Sequence, residues 1–175
     1  MYQKFFNVRL NMGFGEAIKT CFSKYFTFRG RARRSEYWYF YLFTFLLGVA
    51  ATLLDLVLGL GGGEIGVIGS LASLGTFFPS VSAQVRRLHD TGRSGWWIGG
   101  AIIAAIIFVF LIAGSIGASA TGDFGAIAGV LIIVFILGLI GYGITMLVFL
   151  CTDSQEGSNK YGPNPKYNQS AAIFD

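Results

Sequence analysis

Residues 86–97, which read RRLHDTGRSGWW, lie between two long apolar stretches and carry three of the chain's 13 Lys and Arg residues. The other ten basic side chains lie before Trp38 or after Cys151. The two remaining connections between apolar stretches, around residues 61–64 and 121–123, contain none. Lys and Arg are retained in the cytoplasmic loops of membrane proteins. The pattern therefore predicts four membrane spans with both termini in the cytoplasm.

The composition is that of a membrane protein. Charged residues make up 13% of the chain and apolar residues 54%, with a mean hydropathy of +0.62, whereas a soluble domain is about a quarter charged. Residues 1–10 mix charged and aromatic side chains and lack the apolar core of a signal peptide, so the first span is expected to direct insertion. We therefore expect an all-α, polytopic protein of the bacterial inner (plasma) membrane.

Four transmembrane helices are expected, at about residues 37–60, 65–85, 96–116 and 126–151. The predicted domains are an N-terminal cytoplasmic or interfacial segment (1–36), a four-helix transmembrane domain (37–152) and a cytoplasmic tail (153–175). All 13 basic residues and six of the nine acids fall on the cytoplasmic side of this topology. The excess of about seven positive charges there should attract anionic lipid head groups.

An amphipathic helix is predicted ahead of the first span, within residues 11–26. Its apolar side chains recur at intervals of three and four residues and are Phe14, Ala17, Ile18, Cys21, Phe22 and Tyr25. The segment is too short and too charged to cross a membrane, so we expect it to lie in the inner interface. The alternative is that it packs on a cytoplasmic protein surface.

Polar residues inside the predicted spans fall at two places. Asp55 lies seventeen residues past Trp38, or roughly 25 Å along a helix, which places it near the outer edge of the bilayer. There it either reaches interfacial water or lines an ion path. In the second span, one helical face carries Ser70, Ser73, Ser80 and Gln84. This face is either a seam for helix packing or part of a pore that includes Asp55.

Three polar stretches stand out, and the topology places all of them at the cytoplasmic surface. They are FRGRARRSEYW at residues 28–38, RRLHDTGRSGWW at residues 86–97 and GSNKYGPNP at residues 157–165. Together these stretches resemble the family known as domain of unknown function 805 (DUF805, YhaH-like proteins), over roughly residues 21–165. The resemblance implies a small helical inner-membrane protein with no established biochemical activity and no catalytic residues.

The first two stretches contain seven arginines, more than membrane orientation requires: Arg29, Arg31, Arg33, Arg34, Arg86, Arg87 and Arg93. The guanidinium fork matches carboxylates and phosphates bidentately, and lysine would orient a span equally well. Three uses remain open: orientation alone, internal ion pairs with Glu36 and Asp90, or binding of phosphate on lipid head groups or a phosphorylated ligand. A structural polar network is predicted among Glu36, His89, Asp90, Ser94 and Asn164, with Ser94 capping the third span.

No set of residues predicts catalysis. His89 and Asp90 are adjacent, but a catalytic pair also needs a nucleophile or a metal, and this is the chain's one histidine. Cys21 and Cys151 are expected to be reduced thiols, and the sequence offers no metal-ligand spacing. We therefore expect a protein that is not an enzyme and needs no metal or cofactor.

The leading functional hypothesis is a scaffold or accessory subunit whose arginine-rich cytoplasmic face binds anionic lipid or a protein partner. The alternatives are a small ion or solute channel or transporter, and a membrane enzyme acting on a phosphorylated or lipid substrate. A homo-oligomer is expected from the glycine-rich and serine-rich helix faces. Nucleic acid is not expected as a partner, because membrane topology already explains the basic charge.

Overall fold

The computed structural model describes residues 12–60, 66–119 and 125–166, and these residues form five α-helices. The helices are α1 Phe14–Ser23, α2 Arg34–Val57, α3 Val67–Asp90, α4 Trp96–Ser119 and α5 Gly125–Cys151. The all-α class is confirmed for the described part of the chain. The predicted outer connections and the N-terminal residues 1–10 lie outside the described residues, as does the end of the tail from residue 167.

The helices belong to two compact units. The first unit holds α1, α2 and α3 together with the tail from Asp153, and the second unit holds α4 and α5 between Ser94 and Thr152. In the second unit, α4 and α5 pack through stacked rings of Phe108 and Phe135, whose centroids are 5.6 Å apart.

Three helical segments are long and apolar enough to cross a membrane: Arg34–Val57, Trp96–Ser115 and Gly129–Cys151. They coincide with the first, third and fourth predicted spans. The second predicted span corresponds to α3, which has the same length as α2, 24 residues. It does not reach the same hydropathy, because serine, threonine and glutamine side chains interrupt its apolar sequence.

In the first unit, α1 packs against α2 and α3. Its small side chains, Ala17 and Cys21, are fully buried, while the larger Phe14 and Phe22 remain partly exposed. Phe22 also contacts Phe40 of α2 edge-on, with ring centroids 5.6 Å apart. In the predicted apolar stripe, the small side chains are thus buried against the other helices, and the large aromatic side chains are partly exposed.

Asp55 joins α2 to the beginning of α3. Its Oδ1 accepts the N–H of Ile68 at 2.9 Å and its Oδ2 accepts the N–H of Gly69 at 2.8 Å. A carboxylate at this position satisfies N–H groups that an α-helix leaves unpaired and complements the helix dipole. Gly66 makes the approach possible, since a Cβ there would overlap the carboxylate. The expectation that Asp55 reaches interfacial water is wrong, because the residue is only 4% exposed.

Two of the four polar side chains on this face of α3 bond within the helix. Ser70 Oγ donates to the carbonyl of Gly66 at 2.7 Å, and Ser80 Oγ donates to that of Thr76 at the same distance. Ser70 and Ser73 are exposed and Gln84 is half-buried. The choice between a packing seam and a pore therefore stays a prediction.

Candidate functional site

The first and third polar stretches and residues 86–93 of the central stretch come together in the first unit. We call this region the polar cap and define it as residues 28–38, 86–93 and 153–166. Gly92, with φ of +76°, ends α3. Its N–H donates to the carbonyl of His89 at 3.0 Å, and the next N–H, of Arg93, reaches back to that of Leu88 at 2.9 Å. This glycine-terminated helix end turns the chain sharply just after Asp90, the last residue of α3.

Asp90 is fully buried and holds the cap together. Its Oδ1 accepts Arg31 Nε at 2.9 Å, and its Oδ2 accepts Ser154 Oγ at 2.6 Å and the guanidinium of Arg87. A buried carboxylate is costly unless charge and hydrogen bonds both compensate it. Here one acid is shared by two arginines, and all three groups are shielded from solvent.

Arg31 connects this carboxylate to the tail. Its Nη1 donates to the carbonyl of Gly157 at 2.8 Å and its Nη2 to that of Gln155 at 2.6 Å. Gln155 is also held by its backbone N–H, which donates to the Asp90 carbonyl at 3.0 Å. A planar guanidinium supplies several donors in fixed directions, so Arg31 binds the acid and the turn of the tail at once.

A second buried ion pair joins Arg86 of α3 to Glu36 of α2. The backbone adds to it, since the N–H of Ala32 donates to the carbonyl of Arg86 at 3.0 Å. Arg86 Nε and Nη2 have no hydrogen-bond partner among the described residues. Burial and, to a lesser extent, the nearby Glu36 carboxylate raise the pKa of the neighbouring Cys21 thiol to about 11. Cys21 is therefore a neutral thiol in this cluster, not a reactive thiolate.

The two pairs are reciprocal. An arginine of the N-terminal stretch, Arg31, pairs with the acid of the central stretch, Asp90. An arginine of the central stretch, Arg86, pairs with the acid of the N-terminal stretch, Glu36. This is the internal pairing that was one of the three uses proposed for the arginines.

His89 belongs to the same cap but makes different contacts. Its Nδ1 donates to the carbonyl of Gly30 at 3.2 Å, and its ring stacks on Tyr161 with centroids 3.7 Å apart. Asn159 Nδ2 donates to the His89 carbonyl at 2.9 Å. Burial lowers the pKa of His89, partly opposed by the bond to Gly30, so the imidazole is neutral at physiological pH. His89 is thus a packing contact for the tail.

Asn164 ties down the end of the tail. It is buried, and its Nδ2 donates to the carbonyl of Gln155 at 3.0 Å, while its Oδ1 accepts the N–H of Lys166 at 2.9 Å. Lys166 in turn forms a solvent-exposed ion pair with Asp153 at 2.5 Å. This ion pair, first, and the N–H of Ser154 lower the pKa of Asp153.

The seven predicted arginines separate into two groups. Arg31, Arg86 and Arg87 are buried and paired with carboxylates. The remaining four lie nearer the surface: Arg29 and Arg34 are exposed, and Arg33 and Arg93 are half-buried. Lipid or partner binding by the arginines stays a prediction, and the second group is the one whose position suits it.

Ser94 begins the second unit, and its Oγ accepts the N–H of Trp96 at 3.3 Å, the contact expected of a cap.

Sequence reasoning missed Ser154 and Gln155 of the tail. Ser154 donates to Asp90, and Gln155 supplies the backbone carbonyl that both Arg31 and Asn164 use. Both residues precede the third polar stretch and belong to no recognisable motif. Backbone acceptors carry no side-chain signature, so only the folded tail reveals Gln155.

The polar side chains of the cap bond to one another and to the backbone. Within the described ranges, no three His, Cys, Asp or Glu side chains lie close enough to hold a metal ion. His89 faces a backbone carbonyl and a tyrosine ring, and its neighbour Asp90 is taken up by two arginines.

Comparisons with known proteins agree with these motifs. A family described as "Protein of unknown function (DUF805)" matches residues 25–163. The chain is 33% identical over 146 residues to the inner membrane protein YhaI of Escherichia coli (strain K12), covering 83% of this chain and 92% of YhaI. It is 35% identical over 148 residues to the inner membrane protein YhaH of the same strain, covering 81% and 89%. No solved structure matches the chain.

Proposed function

The chain belongs to the DUF805 family of inner-membrane proteins, and on that premise we propose that it is a non-enzymatic, four-span scaffold or accessory subunit. In this proposal the polar cap faces the cytoplasm and binds anionic phospholipid through the exposed arginines, Arg29 and Arg34. The buried ion pairs hold the cap in shape, and the surface arginines make the contacts.

The fourth span in this proposal is α3. Residues 67–85 contain no charged side chain, and at about 1.5 Å per residue they extend for roughly 28 Å, close to the ~30 Å thickness of a bilayer core. Leu71, Leu74 and Phe77 are more than half exposed on its surface. Contiguous exposed apolar surface of this kind is unfavourable in water and suits lipid. α3 packs along α2, itself apolar enough to span, so the pair is suited to cross as a hairpin.

The charge distribution of the cap carries the lipid-binding proposal. Glu36 and Asp90 are buried and paired, so they do not offset positive charge at the surface. Two acids of the cap are exposed: Asp153, which pairs with Lys166 and also interacts with Arg34, and Glu156. Arg29 and Arg34 remain exposed. Each basic residue near an anionic membrane surface contributes about 1 kcal/mol of attraction.

The test is lipid selectivity in a mixed bilayer. The full chain is reconstituted in nanodiscs of phosphatidylcholine and phosphatidylglycerol, released, and its retained lipids are counted by native mass spectrometry. Wild-type protein should retain phosphatidylglycerol preferentially. Replacing Arg29 and Arg34 with Gln should lower that preference about fivefold per charge removed, whereas replacing both with Lys should preserve it. Equal retention of the two lipids by the wild type, or an unchanged preference in the Gln variant, would contradict the proposal.

A further inference from the structure

The chain between α1 and the polar cap is an exposed aromatic segment with defined contacts. We call residues 24–29 (KYFTFR) the aromatic loop. Phe26 is 64% exposed although its ring contacts those of Tyr25 and Phe78, at centroid distances of 4.7 and 5.1 Å. Phe28 is also exposed. Large aromatic rings held at a surface in this way mark sites of contact with another apolar phase.

The loop is fixed to α3, so the exposure of Phe26 is imposed by the fold. The buried hydroxyl of Ser82 donates in a bifurcated bond to the carbonyls of Lys24 and Thr27, at 2.9 and 2.7 Å. Tyr25 Oη donates to the carbonyl of Gly75 at 2.8 Å. The loop also closes on itself, because the N–H of Thr27 donates to the Lys24 carbonyl at 3.0 Å.

These bonds place the loop nearer the middle of α3 than the polar cap is. Ser82 precedes Asp90 by eight residues, or about 12 Å along the axis of α3, and it lies within the uncharged residues 67–85. By Gly30, whose carbonyl accepts His89 Nδ1, the chain has returned to the level of the cap. The loop therefore runs beside the uncharged part of α3, and the chain returns to the polar cap at the end of the loop.

The charged residues of the loop and of the chain directly on either side of it are all positive. Lys24 begins it and Arg29 ends it, and no acid occurs between residues 17 and 35. We propose that the aromatic loop inserts into the cytoplasmic leaflet and binds anionic phospholipid. Phe26 and Phe28 lie at the boundary of the acyl chains, and Lys24 and Arg29 bind the head-group phosphates. This inference rests on the proposed function, since it requires α3 to cross the bilayer with Asp90 on the cytoplasmic side.

Depth-dependent fluorescence quenching tests the insertion. In the full chain with Cys151→Ser, an environment-sensitive fluorophore is attached at Phe26→Cys, and in a control at Glu156→Cys on the exposed tail. Cys21 is retained, because it is buried. In vesicles of phosphatidylcholine and phosphatidylglycerol, the probe at 26 should be quenched by lipids spin-labelled near the glycerol backbone and protected from iodide. The probe at 156 should be quenched by iodide and not by the spin-labelled lipids. Iodide quenching at 26 as strong as at 156 would overturn the inference.

A second variant tests the lipid class without touching the aromatic rings. Lys24→Gln should lower the preference for phosphatidylglycerol about fivefold, and Lys24→Arg should retain it. An unchanged preference in Lys24→Gln would overturn the assignment of anionic lipid to the loop. If the Arg29/Arg34 Gln variant loses its preference while the probe at 26 remains in water, the loop inference fails and the proposed function stands. If the probe is embedded in lipid but the Arg29/Arg34 substitutions have no effect, lipid binding by the surface arginines fails, including the phosphate contact assigned to Arg29, and only the insertion of the aromatic rings stands.

Discussion

Replacement of Asp90 by Asn should loosen the polar cap more than any other isosteric change in it. The amide would keep nearly the same shape but remove the negative charge shared by Arg31 and Arg87, two side chains shielded from solvent. Breaking a buried ion pair by removing one partner costs about 3–5 kcal/mol, because it leaves an uncompensated buried charge. Since one acid serves two arginines here, we expect a loss of stability at the upper end of this range.

The matched control is Asp153→Asn. Asp153 also pairs with a cation, Lys166, at 2.5 Å, but the pair is exposed to solvent. Exposed pairs contribute about 0–1 kcal/mol, so the same chemical change should have little effect there. Equilibrium unfolding of the purified protein in detergent would measure both variants, and hydrogen exchange of residues 153–166 would report release of the tail. A loss of less than about 1 kcal/mol for Asp90→Asn, or equal losses for the two variants, would refute the reasoning.

Three further predictions concern the α2–α3 connection, the histidine and the buried thiol. Asp55→Ala should lower the free energy of unfolding by about 1–2 kcal/mol, because it removes the cap of α3. Gly66→Ala should also destabilise the protein, because the new Cβ would meet the Asp55 carboxylate. An unchanged midpoint of thermal unfolding for Gly66→Ala would contradict this geometry. Because the pKa of His89 lies below its ordinary value of 6.5 in the folded protein, the unfolded chain binds more protons there, and stability should fall as the pH decreases through 6.5 and below. His89→Phe keeps an aromatic ring against Tyr161 and should weaken that pH dependence, so an identical profile would argue against the role of His89. Cys21, buried and with a pKa of about 11, should resist maleimide under conditions that fully modify a cysteine introduced at Glu156; equal rates by mass spectrometry would show that the α1 contact is open.

The helices are predictable because the sequence shows directly the length of each apolar stretch and the charges on either side of it. Each of the four predicted spans coincides with a long helix among the described residues. The sequence also identifies Glu36 and Asp90 as the acids available to the arginines. It does not assign the pairs, because the partner of an arginine depends on how α3 is rotated against α2. Arg86 and Arg87 are neighbours on one helix yet bind different acids.

The contacts that escape prediction involve the backbone. Arg31 binds the carbonyls of Gln155 and Gly157, and Asp55 binds the N–H groups of Ile68 and Gly69. Every residue except proline offers the same N–H group and every residue the same carbonyl, so no residue type in the sequence distinguishes these partners. The helical rise alone places Asp55 near one end of its helix, but its role depends on the return of the chain at Gly66.

The most direct test of the proposed topology is thiol accessibility in intact cells. In a chain without native cysteines, single cysteines are placed at Gly62, in the connection between the first two predicted spans, and at Thr91, beside Asp90. A membrane-impermeant maleimide added outside the inner membrane should label position 62 and leave position 91 unlabelled until the membrane is permeabilised. Labelling of 91 from the outside, or protection of 62, would contradict a basic cap held in the cytoplasm and a crossing by α3.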